Sequence, residues 1–201
     1  MATDHPAGTP AEESPLLVRS MQRLEQTAGL DRVVRRLAPA SEALLRSPAR
    51  RNVLQGTWLG HAVHPILTDL PLGLWTSTTV LDLLGGRRAR PAAQLLLGLG
   101  VGAAVPAAVT GFAEWGSTAP RERRVGVVHA AANSAGLGLY AGSFLARRRG
   151  HHRTGVLMAL AGGAAAAIGG YLGGHLIEVR KVSSRHPVFE GDVPVPPPDL
   201  Y

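Results

Sequence analysis

The sequence contains no cysteine among its 201 residues, and aromatic and charged residues are scarce, at 4% and 17%. A chain without cysteine forms no disulfide, no thiolate zinc site and no iron–sulfur cluster on its own thiolates, and it has no cysteine nucleophile. The sequence also lacks a phosphate-binding loop and any hydrolase motif. These absences favour a non-enzymatic protein or a redox accessory protein, and no catalytic residue is predicted.

Positive charge is concentrated in short arginine clusters at residues 87–90, 121–124 and 147–149, within a net charge of +7. All three clusters border apolar segments. Arginine at helix ends anchors membrane proteins to anionic headgroups and helps to set their topology. A nucleic-acid interface would instead interleave basic and aromatic residues on one face. The charge pattern therefore predicts contact with a lipid bilayer and not with nucleic acid.

Three windows, residues 92–113, 125–146 and 154–177, contain no charged side chain, and a fourth, residues 66–84, contains only Asp69 and Asp82. Asp82 is expected to pair with Arg87. A hydrocarbon core of about 30 Å is crossed by roughly 20 helical residues. The sequence therefore predicts an all-α membrane protein with a four-transmembrane-helix bundle in a domain of residues 54–182. The predicted helices span about residues 65–84, 92–114, 125–146 and 154–177.

The segments on either side of this domain differ in composition. Residues 1–13 are polar and poor in apolar side chains, which predicts a disordered N-terminus. Within residues 14–53, apolar residues such as Leu17, Met21 and Leu24 recur at helical spacing between arginines. This pattern predicts short amphipathic helices that lie on the membrane, cap the bundle or simply pack against the chain. Residues 183–201 end in VPVPPPDLY, which predicts an extended Pro-rich tail.

Four crossings would bring both ends of the chain and the loop between the second and third helices to one membrane face. Most of the polar candidates would lie there, namely His61, His64, Glu114, His129 and His175. The arginine-rich short loops favour one orientation, and the arginine-bearing N-terminal region favours the other. We predict that both ends of the chain lie on the cytoplasmic side. The similar spacing of His64 to His129 and of Glu114 to Glu178 also suggests two related hairpins.

Four segments of the sequence form a recognisable family pattern. They are GTWLGHAVHPILTDLPLGLWTS, PAAVTGFAEW, RRVGVVHAAANSAGLGLYAGSFLARRR and GGYLGGHLI. In this order, over about residues 54–182, they resemble the bacterial family called domain of unknown function 2231. The resemblance implies a four-helix inner-membrane protein, in some relatives accompanied by a Rieske-type iron–sulfur domain. A Rieske-type protein is thus a candidate electron-transfer partner by analogy. The usual His-Pro-x-His-Pro pattern is kept here only as His64-Pro65, because Ala62 replaces the first proline.

The histidines near one membrane face suggest a cofactor, because ionisable groups inside a membrane usually face a ligand or a partner. Two neutral imidazoles from facing helices can bind the iron of a b-type haem axially. Electron transfer through such a haem is the first hypothesis, with His129 as one ligand and His64 or His175 as the other. Asn133 lies one turn after His129 on the same face, and Asp69 could orient an imidazole.

Two alternatives remain open. Imidazole and carboxylate groups also suit a divalent metal, for which the candidate ligands are His61, His64, Asp69, His129 and His175. The haem hypothesis draws on the same five residues and Asn133. Without a cofactor, these residues would form a hydrogen-bonded polar cluster or a proton relay in a membrane scaffold or small transporter.

Overall fold

The structure, a computed structural model, describes residues 14–184 and 186–189. Within these ranges the chain forms helices and no strand, so the all-α prediction is confirmed. The predicted disordered segment 1–13 and most of the predicted extended tail lie outside the described residues.

Three short helices precede the apolar part of the chain. They are α1 (Leu16–Gln26), α2 (Asp31–Leu44) and α3 (Pro48–Gln55). Each is amphipathic and buries only a few side chains. Met21 of α1 packs against Val125 and Leu172, which lie in two long helices later in the chain. This contact attaches α1 to one end of those helices.

Four long helices follow. They are α4 (His64–Leu84), α5 (Arg90–Trp115), α6 (Pro120–Arg148) and α7 (His152–Gly174), and α7 continues into a π-helical turn at His175–Val179. A proline occupies the first turn of α4, α5 and α6. Its fixed φ suits a helix start, and its missing N–H would have no helical partner there.

Two segments of the described chain are both long and apolar enough to cross a membrane, Arg87–Trp115 and His152–Val179. Only 28% and 33% of their most apolar windows are buried, so most of their apolar surface faces outward. Helices α4 and α6 have sufficient length, at 21 and 29 residues. Their histidine, asparagine, aspartate and hydroxyl side chains lower their mean hydropathy. The prediction of four crossings is therefore not confirmed by length and composition.

The long helices form two antiparallel hairpins, α4 with α5 and α6 with α7. The hairpins also meet through α5 against α6 and α4 against α7. Helices α4 and α6 thus lie diagonally across the bundle and run in the same direction. Their large side chains meet along the bundle axis.

These axial side chains form three layers, each pairing one residue of α4 with the residue of α6 that is 65 positions later. The layers are His64 with His129, Trp75 with Tyr140, and Asp82 with Arg147. The Trp75 and Tyr140 rings stack with centroids 4.0 Å apart. Asp82 and Arg147 form a bidentate ion pair at 2.7 and 2.6 Å. The predicted pairing of Asp82 with Arg87 is wrong, because the axis of the bundle places Arg147 opposite Asp82.

Glycines of α5 and α7 make room for the layers. The matching contacts are Gly100 with Trp75, Gly162 with Tyr140, Gly111 with His64, and Gly173 with His129. A Cβ on Gly100 would lie 2.4 Å from Nε1 of Trp75. These contacts support the two-hairpin interpretation, with an offset of 62 residues between α5 and α7. Glu114 and Glu178 do not fit that offset and are not counterparts.

The short helices close one end of the bundle, and we call residues 16–55 the cap. Gln55 donates through Nε2 to the Ala113 carbonyl at 3.3 Å and to Ser117 Oγ at 2.6 Å. Ser41 donates to the Phe112 carbonyl at 3.3 Å. The cap therefore sits at the end of α5, which is also the end that carries His64 and His129.

Candidate functional site

His64 begins α4, and its ring is oriented by the backbone of α5. Its Nδ1 lies 2.9 Å from the Ala107 carbonyl oxygen. A carbonyl only accepts hydrogen bonds, so Nδ1 carries the proton and Nε2 of the neutral ring presents a lone pair. The Cε1 edge of the ring lies against Gly111, where a Cβ would approach it to 2.7 Å. The glycine therefore permits the ring to reach its carbonyl.

His129 has the corresponding arrangement in the second hairpin. Its Nδ1 lies 2.8 Å from the Gly169 carbonyl oxygen of α7, so this ring is held in the same tautomer. Asn133 donates to the backbone carbonyl of His129 at 3.0 Å. Its amide nitrogen is 3.4 and 3.3 Å from the two ring nitrogens, which places it over the ring face and not in the ring plane. Gly169 leaves room for this amide, because a Cβ there would lie 2.5 Å from Asn133 Oδ1.

The two rings face each other across the bundle axis, with centroids 6.4 Å apart and planes at 82°. Within the described residues, no hydrogen bond reaches Nε2 of His64. Histidines that bind metals usually donate their other ring N–H to a carboxylate or a carbonyl, which orients the ring and raises its basicity. Both rings have this feature, so each presents an unprotonated Nε2.

His175 lies apart from this pair. Its Nε2 is 2.8 Å from Glu25 Oε1 of the cap. Arg180 lies 3.6 Å from the same oxygen and donates through Nε to Glu122 Oε1 at 2.7 Å. This network joins α1, the start of α6 and the end of α7. His175 thus connects the cap to the bundle, and His64 is the residue that faces His129.

His61 and Asp69 also lie outside the histidine pair. His61 is exposed, and its Nδ1 lies 3.1 Å from the neighbouring Ala62 carbonyl oxygen. Asp69 is exposed on the outer side of α4 and makes no hydrogen bond or ion pair within the described residues. Five residues turn a helix by about 140° beyond one full turn, which carries Asp69 away from the side where His64 lies.

The predicted five-residue metal cluster therefore does not assemble. Among the described residues, no group of three or more His, Asp or Glu side chains could hold a metal ion. Of the predicted site residues, the structure brings together His64 and His129, with Asn133 beside the His129 ring.

Besides the contact of Glu25 with His175, a second contact that holds the cap to the bundle is formed by Asp31 and Arg124. Arg124 donates through Nε and a terminal nitrogen to the two Asp31 oxygens at 2.7 and 2.9 Å. This bidentate contact lowers the pKa of the Asp31 carboxyl and raises the pKa of the guanidinium. The contact joins α2 to α6 just before the apolar part of α6. Sequence reasoning missed this anchor and Glu25 because both connect residues that are far apart in the chain.

Comparison with known proteins yields one match. Residues 60–185 match the model of a family described as a predicted membrane protein, DUF2231. The match covers the four long helices, the histidine pair and the first residues after α7. No curated protein and no solved structure matches the chain significantly. The matched region is more than half of the sequence, and the chain belongs to the DUF2231 family of predicted membrane proteins.

Proposed function

We propose that all four long helices cross the bacterial inner membrane, with the cap on the cytoplasmic side. The supporting observation is that each helix exposes large aliphatic side chains. They include Leu70 and Leu83 on α4, Leu95 and Val105 on α5, Leu145 on α6, and Leu157 and Ile168 on α7. A water-soluble monomer rarely exposes so extensive an apolar surface. The 21 residues of α4 extend about 32 Å, enough for a hydrocarbon core.

We further propose that the bundle holds one b-type haem between His64 and His129 and functions in electron transfer. The observation that carries this proposal is the pair of imidazoles, each held by a backbone carbonyl, with centroids 6.4 Å apart. Imidazole nitrogens bind transition metals at about 2.0–2.1 Å. The centroid separation of 6.4 Å is compatible with His64 and His129 holding one metal centre between them.

The chemistry around the pair also fits a haem. Between the histidine layer and the Trp75 layer, the buried positions include Ala104, Gly136 and Ala166. These small residues let α6 pack closely on α7, where a Cβ on Gly136 would lie 3.2 Å from the Gly162 carbonyl oxygen. The carbonyls of α5 and α7 fix both rings in the tautomer that presents Nε2.

A bound haem would supply one-electron chemistry between its ferric and ferrous states. His64 and His129 would both hold the haem iron, and the haem would then supply electron transfer in preference to binding of a substrate at the metal. The residues of this chain would orient the ligands, raise their basicity through the carbonyl bonds and keep water away from the bundle axis. A Rieske-type protein remains our proposed class of redox partner, by analogy with the domains that accompany some relatives.

The test is an absorption spectrum of the detergent-purified protein, expressed with an adequate haem supply, first air-oxidised and then reduced with dithionite. We expect a sharp α band on reduction. The band should disappear in His64→Ala and in His129→Ala. It should persist in His175→Ala and His61→Ala, because neither residue faces the pair.

The thermal midpoint of each variant serves as the control for folding. A featureless wild-type spectrum would overturn the haem proposal and leave the pair as a structural polar contact. A band that survives both His64→Ala and His129→Ala would show that the ligands lie elsewhere.

A further inference from the structure

Helix α1 exposes the apolar side chains of its first three residues. Leu16, Leu17 and Val18 are 73%, 62% and 44% exposed. Met21, which follows Leu17 by one turn on the same side of the helix, is buried against the bundle. A contiguous apolar patch on a protein surface marks a site of contact with a partner or a membrane. The part of the chain that the structure describes leaves this first turn uncovered.

The contacts of α1 define its direction along the long helices. Near the end of α1, Glu25 lies 2.8 Å from Nε2 of His175. One turn earlier, Met21 packs against Leu172, which is three residues before His175 in α7. Helix α1 therefore runs in the same direction as the end of α7, and its start lies deeper along the bundle than its end. Leu17 is one further turn back, or about 6 Å along α1 from Met21.

Helix α7 presents an apolar surface at the same depth as this first turn. Ile168 precedes Leu172 by one turn and lies only about 40° from it around α7. Leu172 is buried by Met21, but Ile168 is exposed. Leu17 and Ile168 thus both follow the contact of Met21 with Leu172, one turn deeper in each helix. The proposed crossing places Ile168 against acyl chains, so the first turn of α1 reaches the same layer.

The other side of α1 is polar. Gln22 and Arg23 are exposed and lie about 140° and 120° from Leu17 around the helix. Apolar residues on one side and polar or basic residues on the other are typical of a helix in the membrane interface. The cap as a whole contains eight arginines and three acidic residues. This excess of positive charge complements anionic headgroups.

We propose that the first turn of α1 inserts into the lipid of the leaflet on the cap side, beside α6 and α7. This insertion rests on the proposed crossing of the membrane by these two helices. Leu16, Leu17 and Val18 occupy the boundary between headgroups and acyl chains, into which apolar helix faces are buried by about 5–10 Å. Helix α1 is then held by lipid at its start and by the contact of Glu25 with His175 at its end.

The absence of native cysteine allows a spin label to be attached at single positions of the full chain. The variants Leu17→Cys and Gln22→Cys carry the label on the two sides of α1, and Ile168→Cys carries it on α7. All three positions are exposed, so the label displaces no packed side chain. Each labelled protein is reconstituted in vesicles of phosphatidylcholine and phosphatidylglycerol. Power saturation in electron paramagnetic resonance then measures the collisions of the label with oxygen, which concentrates in acyl chains, and with a water-soluble nickel chelate.

We expect the ratio of oxygen to nickel collisions at Leu17 to resemble that at Ile168 and to exceed that at Gln22 several-fold. A ratio at Leu17 as low as that at Gln22 would refute the insertion, because the first turn would then face water. Few collisions with either reagent at Leu17 would also refute it, since protein and not lipid would then cover this turn.

The label at Ile168 separates the insertion from the membrane crossing on which it rests. Frequent collisions of the Ile168 label with the nickel chelate would refute the crossing by α7, and the insertion with it. A label that reports lipid at Ile168 and water at Leu17 would refute the insertion alone. No cofactor is needed for the measurement, so its result does not depend on the haem proposal.

Discussion

The ion pair of Asp82 and Arg147 gives the sharpest stability prediction. Its side chains are only 2% and 1% exposed. Arg147 binds both carboxylate oxygens and also donates through Nε to Ser143 Oγ at 3.2 Å. Arg147→Met would leave the Asp82 carboxylate buried without its counter-ion. Loss of one partner from a buried pair costs about 3–5 kcal/mol of unfolding free energy.

This loss converts into a measurable change of the thermal midpoint. For a chain of this length, 1 kcal/mol corresponds to about 2–4 °C, so Arg147→Met should lower the midpoint by roughly 6–20 °C. The double variant Asp82→Leu with Arg147→Met removes both charges and should recover most of that loss, because well-packed apolar residues often replace a buried pair at little cost. Thermal unfolding in detergent, followed by circular dichroism, measures both effects.

Arg148 provides the matched control for this experiment. It is the next residue along α6 and is exposed, with its guanidinium carbon 5.9 Å from the Phe144 ring centroid. Arg148→Met should cost no more than about 1 kcal/mol, the size of an exposed cation–π contact. The reasoning would be refuted if Arg147→Met and Arg148→Met had similar effects. It would also be refuted if the midpoint of the double variant fell by the sum of the decreases measured for Asp82→Leu and Arg147→Met separately.

Two further predictions concern the cap and the middle layer. The Arg124 guanidinium lowers the pKa of Asp31, so the tie between α2 and α6 is complete above the ordinary carboxyl pKa of about 4 and is lost as the pH falls through the lower folded value. Hydrogen exchange in α2, corrected for its intrinsic rate, should be faster at about pH 3 than at about pH 6, and Asp31→Asn should abolish this difference. Gly100→Val should displace the Trp75 ring, cost about 1–3 kcal/mol and change the near-ultraviolet circular dichroism, whereas Gly102→Val should not, since a Cβ there would meet nothing within 4 Å. Identical spectra and midpoints for the two valine variants would contradict this packing argument.

Much of the candidate site could be anticipated from residue types and helical spacing. Apolar windows identified the long helices, because apolar side chains must be removed from water in any fold. Connectivity then placed His64 and His129 at the same end of the bundle. The spacing of one helical turn placed Asn133 on the same side of α6 as His129, and the structure shows it over that ring.

The rest of the site depended on how far each helix is rotated about its own axis. The position of a residue along the helix does not specify this rotation. Asp69 and His64 are close in depth, yet about 140° separates them around α4. His175 lies at the expected end, but the cap brings Glu25 to it. Neither arrangement follows from the local pattern, because each depends on which neighbouring helix packs against which side.

The sequence by itself determined the helical class, the family, the positions of the polar residues along each helix and the faint repeat between the hairpins. These properties follow from composition and from distances along a single helix, both of which are local. Only the tertiary structure decided that His64 faces His129, that Asp82 pairs with Arg147 and that Asp69 is left on the outer side of α4. Each of these three arrangements depends on how α4 packs against its neighbours and how it approaches α6 across the bundle. That packing is determined by contacts between residues far apart in the chain.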